Sequence, residues 1–150
     1  MAIVPLHRQM TIEVLREFGF NQRAAELGAD ANAAVDEKQG SDASEANLHA
    51  MRGFAEARRM QDVDEARRAV EALLNQRKTR ILEHVQASRF REAITELGAA
   101  LHTVQDREYH GFEPWPFDGL LASITSPNLA LLYGLSAHYM LCHAIRDVGL

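Results

Sequence analysis

His102, Asp106 and His110 recur at four-residue steps through Leu101-His102-Thr103-Val104-Gln105-Asp106-Arg107-Glu108-Tyr109-His110-Gly111-Phe112, and this register constrains the fold more than any other feature. Residues four apart are neighbours on one helix face, so a helix through this stretch stacks the three side chains into a ridge. An imidazole–carboxylate–imidazole ridge suits zinc or a similar divalent ion in charge and softness. The alternative is a solvated helix face that happens to hold two histidines. Leu97, Ala99, Ala100, Leu101 and Val104 set apolar surface beside the ridge. Polar groups next to a buried surface need partners.

The remaining sequence reads as helices. Glycine and proline fall at intervals that punctuate helices, and no run alternates apolar and polar residues long enough for a strand. Residues 11–18 carry Ile12, Val14, Leu15 and Phe18 at helical spacing, and Gly19 stops that helix. Asn21 is placed to cap a second helix through Ala24, Leu27, Ala31 and Val35, ending near Gly40. Residues 40–44 form a loop by composition, with a short helix expected over residues 45–57. Asp62 or Asp64 opens a long helix through Ala66, Val70, Leu73, Leu74, Ile81 and Leu82, and Ser88 caps the next, which carries the ridge. An aromatic, proline-bound loop follows over residues 111–127. Pro127 then opens a last helix over residues 128–148, apolar nearly all round and therefore central. With 150 residues, 47% of them hydrophobic, the chain can build one real core and hardly two. The expectation is an all-α, compact single-domain bundle of five to six helices with a metal centre between helices.

Charge and composition narrow the partners. The formal net charge of −5 argues against broad electrostatic binding to nucleic acid, although bound divalent ions would make a site locally positive. No stretch approaches the ~20 apolar residues of a membrane span, and Met-Ala-Ile-Val-Pro-Leu-His lacks the pattern of a signal peptide. The expected location is cytoplasmic at synthesis, with export as an effector lacking a cleavable signal compatible with it. Cys142 is the only cysteine, so no intramolecular disulfide can form.

The last helix repeats the ridge's spacing with His143 and Asp147. His138 and Cys142 also lie four apart there, and are read as core residues outside the site. His84, on the charged long helix, is read as surface.

The run ALHTVQDREYHGFEPW, residues 100–115, resembles the His-x-x-x-Asp core of the zinc-dependent phospholipase C and single-strand nuclease superfamily. Within it, the run looks most like the C-terminal toxin domains of bacterial polymorphic and Rhs-type proteins. The segment ANAAVDEKQGSDASEANLHAM resembles the superfamily stretch in which an aspartate closes a helix and a histidine follows. The resemblance implies that Asp36 and His49 join His102 and Asp106 in one four-ligand site. It implies a second zinc held by His110, His143 and Asp147, where aspartate replaces the usual glutamate and shortens the reach by one methylene. His7, just before the first helix, would serve a metal that shares Asp106. Two or three zinc ions are thus implied, with Asp106 as bridge and Asp36 as both ligand and acceptor of a proton from water.

The implied activity is cleavage of a phosphodiester, in the setting of a bacterial toxin or effector with an immunity protein as partner. Few basic residues cluster near Tyr109, Phe112, Trp115 and Phe117, so phospholipid stands slightly ahead of single-stranded nucleic acid as substrate. That aromatic loop is either a wall for the substrate or a lid on the core. The alternatives are a nuclease of the same fold, a structural metal-binding helical domain without turnover, and a metal-free interaction module.

Overall fold

The computed structural model describes residues 4–38 and 40–115. They form α1 (Val4–Glu17), α2 (Gln22–Ala33), a short α3 (Ala43–Ala46), α4 (Val63–Gln86) and α5 (Phe90–His110). Single 3₁₀ turns follow at Asn47–His49 and Glu56–Arg58. Isolated bridges tie the loops together, and no strand forms among the described residues, so the fold is all-α as expected. None of the described helices is long and apolar enough to cross a membrane. The expected helix over residues 128–148 lies outside the described residues, and with it His138, Cys142, His143 and Asp147. So do Phe117 and the side chain of Tyr109.

Helix α5 packs against α1, α2 and α4. Its approach to α2 is made by Gly98 and Gly28, since a Cβ on Gly98 would overlap the Gly28 carbonyl oxygen. Ala25, Ala29 and Ala93 keep that crossing buried with small side chains. One turn further along both helices, Asn32 and His102 are in hydrogen-bond contact. The close backbone approach therefore delivers short polar side chains into a dry interior, where they must pair with one another. On the other side of α5, Phe112 packs with Ala50, Ala66, Val70 and Leu74.

Several boundaries differ from those expected. Helix α1 begins at Val4, so His7 lies within it and forms a buried stripe with Thr11 and Leu15 at four-residue spacing. Pro5 is compatible because the first turn has no amide partners to lose. Helix α2 keeps the Asn21 cap, whose side chain accepts from the Ala24 amide, yet stops at Ala33 well short of Gly40. The chain there tightens into turns, with the amides of Val35, Asp36 and Lys38 bonding three residues back. In place of a helix over residues 45–57 there is α3 and one 3₁₀ turn, closed by Ala50 at φ 50°. Gly53 explains the change: it passes so close to Ser41 and Ala43 that no side chain fits, and Phe54 pairs with Ser41. Asp62, not Asp64, caps α4 in a reciprocal capping box with Glu65. Ser88 sits at φ 57° in the link before α5, and Arg89 occupies the cap position without a side-chain bond.

Candidate metal centre

Each wall of the site comes from a different element. Helix α1 brings His7, the turn after α2 brings Asp36, the 3₁₀ turn brings His49, and α5 brings His102 and Asp106 from one face. The side chains of His7, His49, His102 and Asp106 are all nearly or fully buried, while Asp36 is partly open at 14%. Asp36, His49 and His102 form a group whose ligand atoms lie within 4.8 Å of one another, so a metal ion could be held between them.

The shortest contacts form a triangle. His49 Nδ1, His102 Nε2 and Asp106 Oδ2 are each 3.0 Å from the other two. Asp36 Oδ1 stands 3.7 Å from His102 Nε2, and His7 Nε2 stands 3.6 Å from the other Asp106 oxygen, Oδ1. Atoms that share one tetrahedral ion at roughly 2.0–2.1 Å stand about 3.4 Å apart, a spacing that these distances bracket.

Hydrogen bonding alone does not satisfy this arrangement. His49 Nε2 lies 3.2 Å from the Lys38 carbonyl, which can only accept, so Nε2 carries the proton. In the neutral ring, Nδ1 then turns a lone pair towards Asp106 Oδ2 and His102 Nε2. Where His102 carries its proton on Nδ1, a cation relieves that contact, either a second proton on His49 or a metal ion. Burial by itself disfavours the charged ring, but the hydrogen bond to Asp106 and its charge, the Lys38 carbonyl and the charge of Asp36 outweigh it, and the His49 pKa is raised. Asp36 Oδ2 is buried without a hydrogen-bond partner among the described residues. Two imidazoles and two carboxylates around this centre could hold a metal ion.

Of the expected ligands, the structure brings together His7, Asp36, His49, His102 and Asp106. His110 ends α5 one turn beyond Asp106, and the two residues expected to act with it, His143 and Asp147, lie outside the described residues. Both described side chains of the aromatic loop belong to the core, Phe112 with Ala50, Ala66 and Val70 and Trp115 with Ala46 and Met51, the Trp115 ring centroid lying 5.3 Å from that of His49. Paired backbone bonds between Arg52 and both Glu113 and Trp115 hold it there. His84, expected at the surface, is half-buried.

Sequence reasoning passed over Asn32, Gln105 and Thr11, which contact His7 or His102 or link those contacts. Their signal was positional: Asn32 lies four residues before Asp36, Gln105 three after His102, and Thr11 four after His7.

No family model, curated protein or solved structure matches this chain.

Proposed function

We propose that this protein is a zinc-dependent phosphodiester hydrolase of the phospholipase C type. The observation that carries the proposal is the set of 3.0 Å contacts among His49, His102 and Asp106, with Asp36 alongside, which calls for a cation in a nitrogen–oxygen site. Zinc bound there supplies activation of water and neutralisation of charge on an attacked phosphodiester. His49 and His102 offer nitrogen ligands, and Asp106 holds the centre by facing them with Oδ2 and His7 with Oδ1. One carboxylate set between two groups of ligands is the geometry a bridge requires, which supports more than one ion. Asp36, the most open side chain of the set, is our candidate to accept a proton from water. Phospholipid comes before single-stranded nucleic acid as substrate, and the toxin setting with an immunity protein rests on the resemblance of residues 100–115 alone.

The burial of His49, His102 and Asp106 favours a second reading, a closed structural metal site without turnover. Elemental analysis of protein purified without chelator or histidine tag separates the two, repeated on His102→Ala and Asp106→Asn. Two or more zinc ions per chain, lost in both variants, together with cleavage of phosphatidylcholine vesicles or single-stranded DNA, is the expected result. One tightly held ion and no cleavage of either substrate would establish the structural site. Absence of metal from freshly prepared protein that also takes up no added zinc would overturn both.

A further inference from the structure

Behind the candidate ligands, on the side away from Asp106, a line of uncharged polar groups crosses three helices. Gln105 Oε1 on α5 lies 2.9 Å from His7 Nδ1 on α1 and accepts from Asn32 Nδ2 on α2 at 3.1 Å. Asn32 Oδ1 lies 3.2 Å from His102 Nδ1, and Gln105 Nε2 reaches Thr11 Oγ1 at 3.4 Å. Asn32, Thr11, His7 and His102 are fully buried and Gln105 partly so, and water is a poor substitute above all for the buried Asn32–His102 contact.

An amide accepts at one end and donates at the other, which gives the line a direction. Because Asn32 Nδ2 donates to Gln105 Oε1, that oxygen also accepts from His7 Nδ1–H, and Asn32 Oδ1 accepts from His102 Nδ1–H. Both rings then present Nε2 as a lone pair, His102 towards Asp106 Oδ2 at 3.0 Å and His7 towards Asp106 Oδ1 at 3.6 Å. Turning one amide alone sets donor against donor or acceptor against acceptor between Asn32 and Gln105. Turning both moves the proton of both rings to Nε2.

We propose that Asn32 and Gln105 form a positioning relay that forces His7 and His102 into the same tautomer and, as oriented here, holds both as Nε2 ligands for a divalent cation. Neither amide is a ligand; each acts through the ring it contacts, as outer hydrogen bonds do around metal-bound histidine. The consequence for metal rests on the metal-centre reading above, whereas the coupling of the two tautomers does not. A cation taken by His102 fixes its proton on Nδ1, aligns both amides and leaves His7 ready to bind. With both amides turned, His102 Nε2–H donates to Asp106 Oδ2 and His7 Nε2–H faces Oδ1, the arrangement suited to the metal-free chain.

The test is the side-chain nitrogen–proton correlation spectrum of the ¹⁵N-labelled full chain in mildly alkaline buffer, with zinc and with chelator. His7 and His102 are expected to share one tautomer in each state, with the proton on Nδ1 when zinc is present. In Asn32→Asp the new carboxylate still accepts from His102 but cannot donate to Gln105, which turns its Nε2 inward. His7 should then move its proton to Nε2 while His102 keeps Nδ1–H, and zinc affinity should fall about 10–100-fold. Gln105→Glu accepts from both neighbours and should leave both rings in the Nδ1–H form. Opposite tautomers for His7 and His102 in the unsubstituted chain would overturn the relay, even where Asn32→Asp does not fold. An unchanged His7 tautomer in folded Asn32→Asp would do the same. Shared tautomers in a chain that takes up no zinc would support the relay and sink the metal reading instead.

Discussion

His49 Nδ1 sits 3.0 Å from both Asp106 Oδ2 and His102 Nε2, and the cation that settles there decides how the protein responds to pH. Without metal, Asp106 favours a second proton on His49, whose pKa is raised above its ordinary value of 6.5. A raised folded-state pKa contributes stability in full below the unfolded value, and that contribution is lost as pH rises through the folded value. Chelated protein should therefore lose stability as pH rises from 6.5 through the raised His49 value, seen as a falling urea midpoint. Zinc competes with that same proton, so its binding should strengthen over the same interval. Opposite slopes in the two preparations are the expected result, and a rising midpoint in chelated protein would mean that the Asp106–His49 pair does not act this way. The resemblance placed His49 in the site before any fold was seen. Its place in a 3₁₀ turn closed by Ala50 at positive φ was not legible, because a lone alanine carries no signal for left-handed backbone.

Helix ends and helix crossings are where elements stand or fail. The Asp62 side chain accepts from the Glu65 amide at 2.7 Å, and Asp62→Ala should cost about 1 kcal/mol in chemical denaturation. Glu65 answers through Arg59 and the Asp62 amide, which hold its pKa down at about 2. A lowered carboxylate pKa contributes above the ordinary glutamate value of 4.5 and loses that contribution as pH falls towards 2. Glu65→Gln should accordingly flatten the acid limb of an unfolding-against-pH curve. At the α2–α5 crossing, Gly98→Ala gains about 1 kcal/mol of helix propensity but meets the Gly28 carbonyl, which cannot move aside. Overpacking of this kind costs about 1–3 kcal/mol and wins, so urea denaturation should show a net loss. Gly28→Ala meets only the Leu15 methyl at 2.7 Å and should be the milder of the pair, because a side-chain end can rotate. The start of α4 was readable only as Asp62 or Asp64, and the reciprocal bonds with Glu65 settle it on Asp62. The crossing was not readable, since a glycine inside a helix pattern does not say which backbone approaches it.

At the scale of the whole molecule, the site joins residues far apart in the chain, among them His7 with Gln105, Asn32 with His102 and His49 with Asp106. A cation held across these elements binds the folded chain and finds no such set in the unfolded one, so folding and metal binding are linked. Zinc at about 100 times its dissociation constant should add about 2.7 kcal/mol to stability, read as a rise in Tm that chelator reverses. His102→Ala should abolish the chelator-sensitive part of Tm, and an equal response in wild type and variant would place the ion elsewhere.

Sequence alone determined what repeats locally: an all-α chain, the α5 face that carries His102 and Asp106, and the cap at Asn21. Those follow from helical spacing and from hydrogen bonds three or four residues long, which neighbouring residues specify. Resemblance added Asp36, His49 and His7 as candidates, and their gathering around Asp106 came from the fold. Only the tertiary structure decided that α1 reaches back to bury His7, that α2 stops early so that its last turn brings Asp36 to His102, and that Asn32 and Gln105 back the histidines. The last of these depends on two backbones meeting at Gly28 and Gly98 and on the pairing that burial then enforces on polar groups.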